Sequence, residues 1–263
     1  MTLTVIASTL RGLVCFLTIF PIGRCEGRTC GECDDCFTQA SEHMYLFPLI
    51  RAFIGLLAGL FAWTLLHILP SLVVGSLTLG LLLLITGVHH TDGLLDFGDG
   101  VMSSGSSERK IQVMHDQQTG AAGIALGLIT IGTTVFSMAE LGIGIIVRAA
   151  ISAEVSAKLA MVVCAWAGRS TRRGLGKRFV EAMHGRWRNV RLMSALTTSF
   201  VTATLLLQTL GVVTLIAGIA TALVIVRVSH RSFQGVTGDV MGAANDLARM
   251  VSLVTILGAM RWL

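Results

Sequence analysis

Long, mostly apolar runs, each close to twenty residues, decide what this chain is able to fold into. Phe53–Leu69, Leu72–Val88, Ala121–Met138, Ile145–Ala167 and Leu205–Val228 are such runs, and a helix needs about 20 apolar residues to cross the hydrocarbon core of a bilayer. Only 13% of the 263 residues are charged and 53% are hydrophobic, against roughly 25% charged in an ordinary soluble domain. Such a composition is unable to clothe a water-facing surface. A further run, Leu3–Phe20, has no charged leader and no A-x-A-like cleavage site before the next polar stretch, so it reads as a retained first span and not as a secretory signal. The expected fold is an all-α, polytopic transmembrane helical bundle of about seven to eight spans. It forms one membrane domain over residues 1–263, with no internal repeat and no soluble module.

The basic residues are gathered, not scattered. Arg169, Arg172, Arg173, Lys177, Arg178, Arg186, Arg188 and Arg191 crowd one loop, and Arg24, Arg28, Arg109, Lys110, Arg227 and Arg231 sit in others. Reading 45–88, 121–167 and 192–228 as two-span hairpins brings every long polar loop to one side, leaving tight turns near Pro70, Glu140 and Gly211 on the other. The positive-inside rule makes the loop side cytoplasmic.

At the end of one apolar run stands His89-His90-Thr91-Asp92-Gly93-Leu94-Leu95-Asp96-Phe97-Gly98-Asp99-Gly100. If the helix continues through it, Asp92, Asp96 and Asp99 fall at i, i+4 and i+7 and share a face. Three carboxylates on one stripe repel unless a cation lies between them, and Mg²⁺ prefers oxygen ligands shared between protein and substrate phosphates. The competing reading is a solvated loop. Asp116, in the polar return Met114 to Gly123, either binds metal or caps the next helix. Asp239 and Asp246 open the last apolar run on the same inferred side, Asp239 serving either the acidic site or a helix N-cap.

Between the first two spans the 21–44 loop holds Cys25, Cys30, Cys33 and Cys36. Disulfides are disfavoured in the cytoplasm, so this spacing suits a structural Zn²⁺ or an iron–sulfur cluster, each of which takes four thiolates. Free thiols or a loop disulfide are the alternatives. Cys15 and Cys164 lie within spans as small packing residues.

Thr86 to Gly100, together with Thr237-Gly238-Asp239-Val240-Met241-Gly242-Ala243, closely resembles the signature segments of the cobalamin synthase (adenosylcobinamide-GDP ribazoletransferase) family. Phe16 to Pro21, Phe47 to Ile50, Met114 to Gly123 and Gly174-Leu175-Gly176 resemble further family segments, so the likeness covers most of the chain. It implies a Mg²⁺-dependent transferase of cobalamin biosynthesis. Its substrates are adenosylcobinamide-GDP and α-ribazole or its 5′-phosphate, and its products are GMP and adenosylcobalamin or the 5′-phosphate. The resemblance further implies that Asp92, Asp96, Asp99 and Asp239 hold metal and that Asp99, His90 and Asp239 take part in catalysis. Lys158, Asp116, Gln118 and Arg169 would contact substrate. Lys158, one turn after Glu154, has an intramembrane ion pair with that residue as its plainer explanation. The chain departs from the family pattern at Arg51, His115, Gln117, Gln118, Arg173, Ala248 and Arg249, which bears on secondary substrate contacts more than on the metal site.

Two other functions compete with this one. A CDP-alcohol-type membrane phosphotransferase would carry Asp-Gly-x2-Ala-Arg, and that order is absent. A cation or proton transporter places its ionisable residues near the bilayer midplane, whereas most of these acids sit at a membrane edge. The expected setting is the cell membrane, multi-pass, with the active site facing the cytoplasm. The expected partners are the two substrates and membrane lipid, with room for a homo-oligomer and no nucleic acid.

Overall fold

The computed structural model describes residues 3–20, 34–171 and 174–261. Cys25, Cys30 and Cys33 lie outside the described residues. Cys36 is on a helix and buried.

Eleven α-helices are found among the described residues, in the order α1 (Leu3–Leu17), α2 (Asp34–Glu42), α3 (Phe47–Leu65), α4 (Ser71–Thr86), α5 (His89–Met102), α6 (Ser107–Met114), α7 (Ala121–Glu140), α8 (Ile146–Ala167), α9 (Leu175–Met183), α10 (Arg188–Phe233) and α11 (Gly238–Met260). The all-α membrane bundle is as expected. Among the described residues, four segments are long and apolar enough to cross a bilayer, 44–65, 121–140, 188–233 and 238–260, and α4 with α5 makes a fifth if that bent pair counts as one span. This is fewer than seven to eight, for three physical reasons. Helix α1 has only 15 residues. Helix α8 carries Arg148, Glu154 and Lys158 within its 22 residues. Helix α10, at 46 residues, would measure about 70 Å if straight, more than twice the roughly 30 Å core. It is broken at Gln208, whose φ of 52° is left-handed, and Gly211 lies where a side chain would collide with the Ala203 carbonyl. Its two arms therefore fold back on each other, close to the expected turn at Gly211.

Helix α8 is the axis of the bundle. It packs on α3, α10 and α11, and all its residues from Ala149 to Ala165 are buried. Large apolar side chains on the outer helices point away, with Leu84, Leu128 and Leu205 67%, 68% and 80% exposed. In water such a surface would aggregate, whereas lipid tails cover it without penalty. Around one end, Phe16 of α1 gathers Phe37 of α2, Phe47 of α3 and Phe179 of α9, with ring centroids 5.8, 5.7 and 5.0 Å away. These rings tie the two short amphipathic helices to the bundle end.

The acidic run does not continue the helix before it. Gly87 and Val88 both adopt left-handed conformations, with φ of 70° and 63°, and the chain turns by 97° between α4 and α5. Glycine takes that conformation freely, whereas β-branched valine does so only under tertiary constraint.

Candidate active site

Within α5 the predicted spacing holds, because Asp92, Asp96 and Asp99 all lie in its 14 residues. Asp92 occupies the first turn, where the helix dipole favours negative charge, and is exposed. Asp96 is half-buried, and Asp99 is 9% exposed. Repulsion reaches Asp96 from Asp92, Asp239 and Asp99, in that order.

Asp239 joins them because α5 and α11 touch backbone to backbone. A Cβ on Gly93 would stand 2.8 Å from the Asp239 Cα, and one on Gly242 would stand 3.0 Å from the His90 carbonyl oxygen. A side chain at Gly93 would force the backbones apart, and one at Gly242 would be tight enough that its neighbour had to yield. Asp239 is not the N-cap of α11. Thr237 fills that place, its hydroxyl accepting from the Val240 amide at 3.2 Å, and it also donates to Asp239 Oδ2 at 3.3 Å. Gly176 of α9 packs on the Thr237–Gly238 backbone, so the expected Gly-Leu-Gly segment borders the site.

Asp99 has a visible task. Its Oδ2 accepts the Gly120 amide at 2.6 Å and its Oδ1 the Gly123 amide at 2.8 Å. These are free donors at the N-terminus of α7, where a carboxylate is favoured by both hydrogen bonding and the helix dipole. Asp116, weighed for that capping role, instead accepts the Gln118 amide at 3.1 Å within its own exposed turn. Gln118 is exposed as well. His115, beside them, is exposed too. The Arg169 side chain is exposed, while its amide donates to His230 Nε2 at 3.0 Å and its carbonyl accepts from Val236 at 2.9 Å, on the approach to α11.

Behind the stripe lies a buried polar layer. Lys158 is fully enclosed; its Nζ contacts His90 Nε2 and lies 3.1 Å from Met161 Sδ. The ion pair weighed between Lys158 and Glu154 is not formed. Glu154 pairs with Arg51 of α3 and, at 2.5 Å, with Arg249 Nε of α11. Arg249 Nη1 reaches Asp246 Oδ1 at 2.7 Å, which also accepts from Asn245 Nδ2 at 2.8 Å. Thr91 Oγ1 donates to Asp246 Oδ2 at 2.7 Å. Two positions that the sequence marks only as departures, Arg51 and Arg249, thus bind one carboxylate. The signal that could have found them is elementary: ionisable residues inside apolar helices take partners of opposite charge.

Among the described residues, no three or more His, Cys, Asp or Glu side chains are gathered so as to hold a metal ion by themselves. The hard carboxylate donors present fit Mg²⁺ in its shared mode, in which one or two carboxylates are joined by substrate phosphate oxygens and water.

The cobalamin-5-phosphate synthase family matches residues 9–257. The adenosylcobinamide-GDP ribazoletransferase of Methanocella arvoryzae is 31% identical, over 97% of this chain and 96% of that relative. The enzyme of the same name from Methanococcoides burtonii is 30% identical over 92% and 88%, and that from Thermococcus kodakarensis 31% over 94% and 97%. No solved structure matches the chain.

Proposed function

The chain belongs to the cobalamin-5-phosphate synthase family, and from that premise we propose that it transfers the phosphocobinamide group of adenosylcobinamide-GDP to α-ribazole or its 5′-phosphate, releasing GMP. A ribazole hydroxyl forms a new O–P bond at the phosphorus nearer the corrinoid. The bond from that phosphorus to the bridging oxygen of the diphosphate breaks, and GMP departs with that oxygen. The observation that carries this reading is the backbone contact of α5 with α11 at Gly93 and Gly242, which brings the start of α11, with Asp239, against the helix that carries Asp92 and Asp96.

Phosphoryl transfer needs positioning and charge neutralisation more than covalent help. Bound Mg²⁺ would supply that neutralisation, held by one or two of Asp92, Asp96 and Asp239 together with substrate phosphate oxygens and water. Asp99, whose two oxygens accept amides at the start of α7, pins that helix beside the site. Asp239 receives the hydroxyl proton on its carboxylate, since His90 Nε2 faces Lys158 and both Asp99 oxygens are already engaged. His90, backed by Lys158, orients the nucleophile. Asp116, Gln118 and Arg169 stand at the exposed approach, where an anionic nucleotide arrives. The site faces the cytoplasm of the cell membrane, by the distribution of basic loops. The phospholipid-synthase and transporter alternatives gain no support from the relatives.

Purified protein in detergent, given GDP-activated cobinamide, α-ribazole and Mg²⁺, is expected to release GMP and form cobalamin in equal amounts. EDTA should stop the reaction and added Mg²⁺ restore it. Cobalamin formation without GMP, or turnover unaffected by EDTA, would refute the scheme.

A further inference from the structure

Five side chains form one buried chain of contacts across four helices. It runs from Arg51 (α3) to Glu154 (α8), Arg249 and Asp246 (α11), and Thr91 (α5). Their exposures are 0%, 1%, 3%, 4% and 5%. Such clusters are a weak source of stability, because desolvating the charges offsets their attraction and apolar replacements often do as well. Arg51 Nε and Nη1 have no hydrogen-bond partner among the described residues, so this cluster is not optimised for energy. What a charge network of this kind does supply is a single allowed arrangement of the helices that carry it.

The end of the chain shows which arrangement is being held. Asp239, Gly242 and Asp246 lie along one face of α11. Opposite them on α5 come His90, whose backbone faces Gly242, Thr91, bonded to Asp246, and Gly93, against Asp239. The Thr91 hydroxyl is the one side-chain hydrogen bond between α5 and α11 among the described residues. It lies between His90 and Asp92 in sequence, so it sets the rotation of α5 about its own axis and with it the direction of the carboxylate stripe. A glycine crossing by itself permits rotation, since neither surface has a side chain to interlock.

We infer that Thr91 is a positioning residue for the transferase site. Its bond to Asp246, anchored through Arg249 to Glu154 and Arg51, turns Asp92 and Asp96 towards Asp239. The inference rests on the acidic site proposed above. Residues that orient metal-binding groups through hydrogen bonds typically govern metal affinity by 10–100-fold.

The test is Mn²⁺ binding to the full-length protein in detergent, followed by the electron paramagnetic resonance signal of free Mn²⁺, well below the unfolding temperature. Thr91→Val keeps the shape and removes the hydroxyl, and should weaken Mn²⁺ binding about tenfold or more. It should raise the metal KM more than it lowers kcat. Thr91→Ser, which restores the donor, should bind within about threefold of wild type. Asp92→Asn tests the underlying site and should lose binding. Wild-type Mn²⁺ affinity in Thr91→Val, with binding lost in Asp92→Asn, overturns the inference alone. So do equal losses in Thr91→Val and Thr91→Ser. Wild-type affinity in Asp92→Asn overturns the site and the inference together. Should Thr91→Val not fold, Thr91→Ala takes its place under the same criteria.

Discussion

Glu154 sits between two guanidinium groups in a part of the protein that water does not reach. Replacing it by Gln removes the one carboxylate paired with Arg51 among the described residues and leaves two cations facing each other. Breaking a buried pair from one side costs about 3–5 kcal/mol, so Glu154→Gln should lower the thermal unfolding midpoint clearly in detergent. An unchanged midpoint would mean that the cluster is hydrated and carries little energy. The residues of this cluster show where sequence reasoning stops. Glu154 is visible as an ionisable group in an apolar run, and the i, i+4 rule offers Lys158 as its nearest partner. The actual partner Arg249 is 95 residues away, and nothing local selects it over a neighbour. Asp92, Asp96 and Asp99 were legible because their spacing is a property of one helix. Asp99's bonds to Gly120 and Gly123 were not, because they depend on where α7 begins.

At the scale of helices, the site is a crossing. Helices α5 and α11 approach closely enough that Gly93 admits no side chain beside the Asp239 backbone. Gly93→Ala therefore has to push the two helices apart at the carboxylates. Misplacement of about 1 Å is able to reduce turnover about a hundredfold, and kcat of Gly93→Ala should fall by that order while far-ultraviolet circular dichroism stays helical. Activity within a few fold of wild type would show that the crossing has slack. Nothing in the sequence says that a second helix comes close to the glycines of the run, and the 97° turn before it is hidden too. Its hinge is Gly87 with Val88, and a valine carries no signature of left-handed backbone. The break at Gln208 is hidden in the same way, since glutamine is an ordinary helix former.

For the molecule as a whole, composition was enough to read an all-α membrane bundle, because nothing else accommodates so apolar a surface. Counting its spans was harder. The most buried helix, α8, carries Arg148, Glu154 and Lys158, and hydropathy alone undervalues it. The basic loops predict sidedness, which is tested on vesicles. Arg186 is exposed in the segment after α9. Trypsin should cut there in inverted membrane vesicles and spare right-side-out ones; the opposite pattern would reverse the orientation and move the site to the far side. One further trait of the architecture concerns evolution. The stretch between α5 and α7, with α6 inside it, departs from the bundle just after Asp99 and returns to that same carboxylate at Gly120. It is a closed detour whose two ends are stapled at one point. Met114 holds the inner side of the detour, buried and packed against Gly100, so what is left to drift without disturbing the spans is its exposed outer turn at residues 104–106, where selection is able to tailor what enters from the water side while the acidic floor beneath stays as it is.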